Sequence, residues 1–192
     1  MKGAIFKAFE HFVVDNYGED TWEDIYDATG LETVEPFVGP GTYPATDLLA
    51  LVTTTIGALG ISLDDALRAF GRHAFPGLAR SVASLMEGLD DPHAFLLSLE
   101  SLIHTEVRKL DPDASSARFS LVEDTPEAIV LRYESPYGLF ALVEGFFDGL
   151  ADWYHTTLRY ELISTEGTNA TFRVHFLDSN SSLVAAAQRA ND

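Results

Sequence analysis

The chain has no cysteine among its 192 residues. Without thiols it can form no disulfide framework, no thiolate nucleophile and no thiolate-bound zinc or iron–sulfur centre. Any metal must therefore be bound through histidine, carboxylate or tyrosine side chains. Six histidines occur, and no two of them have the H-E-x-x-H spacing of a zinc protease. A zinc hydrolase is accordingly poorly supported.

Basic residues are scarce as well. The chain has 12 Lys and Arg against 30 Asp and Glu, which gives a formal net charge of −18. Such a charge repels phosphate backbones and anionic lipid headgroups. We therefore predict that the protein binds neither nucleic acid nor a membrane surface.

Long apolar runs are missing too, although 46% of the residues are hydrophobic. No run approaches the roughly 20 residues of a membrane-spanning helix. His11 and Asp15 interrupt the first apolar segment before the core of a signal peptide could form. We expect a cytoplasmic globular protein whose length allows one sizeable core.

Apolar residues recur at helical spacing through about the first 110 residues. The pattern predicts helices that end at Gly18 and Gly30, and a third over about 45–59. A fourth begins at Ser62, where Asp65 three positions on resembles a capping box, and Pro76 is predicted to interrupt it before 78–86 resumes.

A fifth predicted helix carries a histidine in an apolar setting. Asp91 is its expected N-cap, Pro92 its first residue, and Asp111 with Pro112 its end. His104 shares a helical face with Leu97 and other apolar residues that could wall a macrocycle. Its imidazole can bind iron through one nitrogen while the other donates a hydrogen bond. For an isolated histidine, a hydrogen bond to a backbone carbonyl is the commoner arrangement.

After about residue 112 the hydrophobic period changes from about 3.6 to 2. Alternating segments flank a turn at 125–127, a helix is predicted over about 138–155, and two more alternating segments flank a turn at 166–169. Helices followed by antiparallel strands predict an α+β fold with β-β-α-β-β order in its second half. We expect a single domain over 1–178, with a helical subdomain (1–112), a sheet subdomain (113–178), a ligand cleft between them and a polar tail (179–192).

Tyr133 and Ser135 lie two residues apart at the end of a predicted strand. This spacing places both hydroxyls on one side of the strand, where they can donate to a carboxylate such as a haem propionate. An ordinary strand end before Pro136 has the same appearance. The chain has no Gly-rich phosphate loop and no G-x-S-x-G motif, so we predict that it is not an enzyme.

Four stretches, taken in order, resemble the haem nitric-oxide/oxygen-binding (H-NOX) family, whose fold occurs in bacterial gas sensors and in the regulatory domain of soluble guanylate cyclase. They are the M-K-G-x-I opening, residues 43–47, the x-G-R motif at 70–72 and residues 102–107. The likeness extends over about 1–177. It implies haem b as the cofactor and His104 as the axial ligand of its iron.

The resemblance also assigns Tyr133 and Ser135 to the family's Y-x-S-x-R motif, which grips the haem propionates. Tyr137 stands where that motif has Arg. A Tyr hydroxyl supplies neither the charge nor the second hydrogen bond of a guanidinium, and each such contact is worth about 1.5–3 kcal/mol. Compensation would have to come from Arg72, Arg118 or Arg132.

On the distal side of the haem, the resemblance assigns four apolar residues: Ile5, Phe9, Ala74 and Leu142. Without a donor to a polarised ligand, it implies a sensor of nitric oxide rather than of oxygen. The partner it implies is a separate signalling protein, such as a histidine kinase or a cyclic-nucleotide enzyme. The alternative left open is a haem-free relative that binds another tetrapyrrole or a hydrophobic small molecule, or acts only through protein contact.

Overall fold

The computed structural model describes residues 3–31, 36–81, 83–99 and 117–177. The predictions for His104, for the end of its helix at Asp111 and for the tail 179–192 lie outside these ranges. The chain forms two compact units, which we call the helical unit (Met1–Ser81 with Ala141–Gly149) and the sheet unit (Val82–Phe140 with Leu150–Asp192).

Four helices come first in the helical unit: α1 (Gly3–Tyr17), α2 (Glu19–Thr29), α3 (Ala45–Leu59) and α4 (Leu63–Ser81). Their ends follow local sequence chemistry, because Gly30 and Gly60 adopt the left-handed conformation that terminates a helix, with φ of 62° and 67°. At the start of α4, the Ser62 hydroxyl accepts the Asp65 N–H at 3.1 Å. The predicted first three helices and the cap of the fourth are confirmed.

The prediction that Pro76 interrupts the fourth helix is wrong, because α4 continues through it to Ser81. A short 3₁₀ turn, Ala83–Leu85, follows where the helix was predicted to resume. Proline cannot donate the helical hydrogen bond to the carbonyl of Arg72. Packing maintains the helix across this gap, since Phe75 and Ala79 are buried on either side of the proline.

In the sheet unit, α5 (Pro92–Ser98) begins as predicted, because the Asp91 carboxylate accepts the Ala94 N–H at 2.7 Å. Four strands follow in the chain: β1 (Arg118–Asp124), β2 (Ala128–Glu134), β3 (Leu158–Glu166) and β4 (Asn169–Phe176). They form one antiparallel sheet in the order β1-β2-β4-β3.

Helix α6 (Phe140–Trp153) lies between β2 and β3 in the chain, and its middle residues, Ala141–Gly149, belong to the helical unit. The buried sheet face carries Ile129 and Leu131 of β2 opposite Val174 and Phe172 of β4. Buried residues alternate with half-buried ones along β4, as the period of two in the sequence predicts, whereas Ile129, Val130 and Leu131 of β2 are all buried. The predicted α+β fold with β-β-α-β-β order is confirmed.

Within the described ranges, no single helix is long and apolar enough to span a membrane. Ala45–Leu59 and Leu63–Arg80 meet that length and apolar composition only as a pair, and they are bent by 113° relative to each other.

Candidate functional site

Two of the predicted distal residues, Ile5 and Phe9, lie one turn apart on α1. Ile5 is half-buried, and Phe9 is 1% exposed. The Phe9 ring meets the Phe70 ring of α4 edge-on, with centroids 5.2 Å apart. Phe9 thus packs against the turn of α4 that leads to Ala74.

The other two distal residues lie on α4 and α6, and glycines bring these helices close together. A Cβ built on Gly71 would stand 2.4 Å from the carbonyl oxygen of Leu142, and one on Gly145 would stand 2.1 Å from the carbonyl oxygen of Arg68. Only glycine allows backbones to approach this closely. Ala74, one turn beyond Gly71, is buried, and Leu142 is half-buried.

All four predicted distal residues therefore belong to the helical unit and lie on three of its helices. None of them carries a hydrogen-bond donor in its side chain. Apolar side chains of this kind suit a flat apolar ligand and a gas molecule that needs no polar contact.

The two predicted propionate-binding residues lie at the end of β2 in the sheet unit. Tyr133 is 3% exposed and Ser135 is 8% exposed. The Tyr133 ring packs beside Phe119 of β1, with centroids 5.3 Å apart, and beside Phe140, at 6.2 Å. The Ser135 side chain and the Leu139 backbone both form hydrogen bonds with the Tyr133 hydroxyl. The structure thus brings the two hydroxyls together in a buried setting.

Burial raises the pKa of the Tyr133 hydroxyl, while the hydrogen bonds from Ser135 and the Leu139 backbone act in the opposite direction. The group is therefore protonated at neutral pH. A protonated hydroxyl in a desolvated setting is a suitable donor to a ligand carboxylate.

The turn after β2 shapes the surroundings of these hydroxyls. The Tyr137 N–H donates to the Ser135 hydroxyl at 3.2 Å, and the Ser135 N–H donates to Oδ1 of Asn169 at 3.3 Å. Gly138 adopts φ of 62°, a left-handed value that suits glycine. Asn169 is not among the site residues that the sequence predicts. Its position in a predicted turn is a weak indication of this role, because Asn side chains commonly form hydrogen bonds with nearby main-chain groups.

Neither sheet arginine replaces the motif's missing Arg on this face. Arg132 precedes Tyr133 and so points to the opposite face of β2, where it pairs with Glu166 at 2.9 Å. Arg118 is exposed on β1 next to the buried Phe119, opposite Glu134 in the strand register. Arg72 is exposed on α4 of the helical unit.

Histidine and carboxylate groups provide no alternative metal centre in the part of the chain that the structure describes. No group of three or more such side chains there could hold a metal ion. His104, the predicted iron ligand, lies outside that part. A haem iron bound through one protein imidazole needs no such cluster.

Comparison with solved structures shows where else this architecture occurs. An H-NOX protein from K. algicida, described as Fe(II) unliganded, has a TM-score of 0.82 and 28% sequence identity, with 92% of this chain and 96% of that chain covered. An H-NOX protein from S. oneidensis, described in the Fe(II)NO ligation state, has a TM-score of 0.83 at 24% identity, with 92% and 99% covered. The latter likeness is one of fold.

Sequence comparison agrees. Soluble guanylate cyclase gcy-32 of Caenorhabditis elegans is 27% identical over 155 residues, which are 76% of this chain. The matched region is 22% of the length of that relative. A sequence model of the haem-NO-binding family matches residues 2–162. The chain therefore belongs to the haem-NO-binding family.

Proposed function

We propose that this chain is a haem-based sensor of a diatomic gas, most specifically of nitric oxide, that signals to a separate effector protein. The observation that carries the proposal is the buried pair of hydroxyls of Tyr133 and Ser135. It occupies the two matching positions of the Y-x-S-x-R motif in a chain that belongs to the haem-NO-binding family. A neutral hydroxyl donor in a desolvated setting suits a carboxylate of haem b.

The remaining roles follow from the same resemblance. His104 would bind the iron, and Ile5, Phe9, Ala74 and Leu142 would wall its distal side. The bound haem supplies the iron that takes the gas. The protein would hold the macrocycle and exclude water with apolar side chains. Its distal side chains offer no hydrogen-bond donor to the bound gas, which favours nitric oxide over oxygen.

We further propose that the sensor is a single domain over 1–178, that it is cytoplasmic and that it has no catalytic activity of its own. Its effector would be a histidine kinase or a cyclic-nucleotide enzyme. The likeness to a guanylate cyclase supports this choice, with the match confined to about a fifth of that protein. The strongly acidic chain, with a net charge of −18, favours a partner surface rich in Lys and Arg.

A second candidate is a family member that holds no haem and uses the same residues for another hydrophobic ligand or for protein contact. Two observations favour it. Tyr137 replaces the motif's Arg, and Arg118 and Arg132 lie on the other face of the sheet. The lost charged contact would weaken haem binding by about ten- to a hundredfold.

The test is to add haemin to the purified protein and record its absorption, before and after reduction and addition of nitric oxide. We expect stoichiometric uptake and a ferrous Soret band that shifts with nitric oxide. His104→Ala should abolish that band, whereas His175→Ala, at a half-buried position of β4, should leave it unchanged. Absence of stoichiometric uptake by the unmodified protein would overturn the sensor and support the second candidate.

A further inference from the structure

The main chain of the turn after β2 donates hydrogen bonds to both ligand-binding hydroxyls. The Tyr137 N–H donates to the Ser135 oxygen at 3.2 Å. The Leu139 backbone and the Ser135 hydroxyl both lower the pKa of Tyr133, as donors to the phenolic oxygen do. These contacts form a chain of donors that runs from the Tyr137 N–H through Ser135 to the Tyr133 hydroxyl.

Such a chain leaves its last proton available. A hydroxyl has one proton to donate and two lone pairs that accept. When main-chain N–H groups fill the lone pairs, the proton at the end of the chain remains for an outside acceptor, and each hydrogen bond strengthens the next. The Tyr133 hydroxyl proton is therefore available to a carboxylate, and the contacts that orient it include no cationic side chain.

The orientation of this chain depends on a residue 34 positions away. Oδ1 of Asn169 accepts the Ser135 N–H at 3.3 Å, across a sequence separation of 34 residues. Asn169 begins β4, directly after the two-residue turn at Gly167 and Thr168. Thr168 also packs on the same segment, because a Cβ built on Gly138 would meet its Cα at 3.4 Å.

We propose that Asn169 is a positioning residue for ligand binding: by holding the main chain at Ser135, it keeps the Ser135 hydroxyl against the Tyr133 oxygen and so directs the Tyr133 proton to a carboxylate of the bound ligand. The identification of that carboxylate as a haem propionate rests on the proposed function. The turn of the β3–β4 hairpin is thereby part of the ligand site, although its side chains need not touch the ligand. Asn169 acts through Ser135.

A double-mutant cycle tests this role through the affinity for haemin. Loss of one neutral hydrogen bond is worth roughly five- to tenfold in affinity, so Asn169→Ala and Ser135→Ala should each weaken haemin binding by about that factor. If Asn169 acts through the Ser135 hydroxyl, the double variant should bind within about twofold of Ser135→Ala. Ser164→Ala, an exposed change in the same hairpin, should have no effect.

Unfolding of the haem-free variants in urea separates this role from a purely structural one. Asn169→Ala should destabilise the fold to the same extent with Ser135 or Ala at position 135, because the main-chain N–H is present in both. Its effect on haemin affinity should appear only with Ser135. Unchanged affinity in Asn169→Ala, or equal losses in both backgrounds, would overturn the proposal.

If the unmodified protein takes up no haemin, a measurement without ligand still tests the positioning role of Asn169. In that case the proposed function fails, and the Tyr133 hydroxyl is titrated by ¹³C NMR of labelled tyrosine, assigned with Tyr133→Phe. Asn169→Ala should raise the pKa of Tyr133 because the Ser135 donor is misplaced, and Ser164→Ala should not. An unchanged titration in Asn169→Ala would refute the positioning role.

Discussion

In the helical unit the tightest contacts join backbone to backbone, whereas in the sheet unit the ligand-binding groups are set by side-chain hydrogen bonds to main chain. Gly71 and Gly145 let α4 and α6 approach until no Cβ would fit between them. Ser135 and Asn169 instead bridge two strands through an amide and an N–H. The first arrangement tolerates no added volume. The arrangement in the sheet unit tolerates changes in side-chain volume, but it is weakened when a hydrogen-bond donor or acceptor is lost.

The largest expected effect comes from adding one methyl group at the helix contact. Gly145→Ala places a Cβ 2.1 Å from the Arg68 carbonyl oxygen, so the helices must separate. We expect a loss of about 1–3 kcal/mol in the free energy of unfolding, measured by urea denaturation followed by circular dichroism.

Gly57→Ala is the matched control for this substitution. Gly57 is an exposed residue within α3 and has no neighbour within 4 Å of an added Cβ. The same methyl group should stabilise the protein there by about 0.5–1 kcal/mol, because it restricts the unfolded chain. Equal effects at the two sites would show that the backbone contact in the helical unit is not rigid.

A second substitution sharpens the account of the sheet unit. Tyr137→Arg restores the charged residue of the Y-x-S-x-R motif and should tighten haemin binding by about tenfold or more. Ser164→Arg adds the same charge on exposed β3 and should change affinity little. The gain at position 137 should shrink as salt is raised. A gain of equal size in both variants would mean that net charge, rather than contact with the ligand, is responsible.

The smallest expected effect is a dependence of stability on pH in the helical unit. Burial of the His73 imidazole lowers its pKa below the ordinary 6.5, nearby Asp15 raises it, and His11 lowers it further. The folded state then binds the proton less readily than the unfolded state, so the fold loses stability as pH falls below 6.5 and gains nothing from this group above it.

Two variants check the sign of this effect by urea denaturation between about pH 7.5 and pH 5. His73→Gln should remove part of the loss of stability at acid pH. Asp15→Asn removes the carboxylate 3.5 Å from the imidazole and should make the loss steeper. A shallower loss in Asp15→Asn would contradict the assignment of His73 as the group responsible.

Much of the fold could be predicted because its signals are local. Apolar spacing and terminating glycines located α1, α2 and α3, and alternation located all four strands. Pro76 misled the prediction because a proline's effect on a helix depends on what is packed around it. Phe75 and Ala79 are buried, so tertiary packing maintained a helix that local preference would have ended.

The sequence by itself determined the order of elements, the apolar character of the four distal positions, the two-residue spacing of Tyr133 and Ser135, and the absence of Arg at position 137. Only the tertiary structure decided that Asn169 supports Ser135, that Arg132 pairs with Glu166, and that glycines join α4 to α6. The physical reason is that periodicity is a property of neighbouring residues. A contact such as that across 34 residues depends instead on strand register and on the path of the turns.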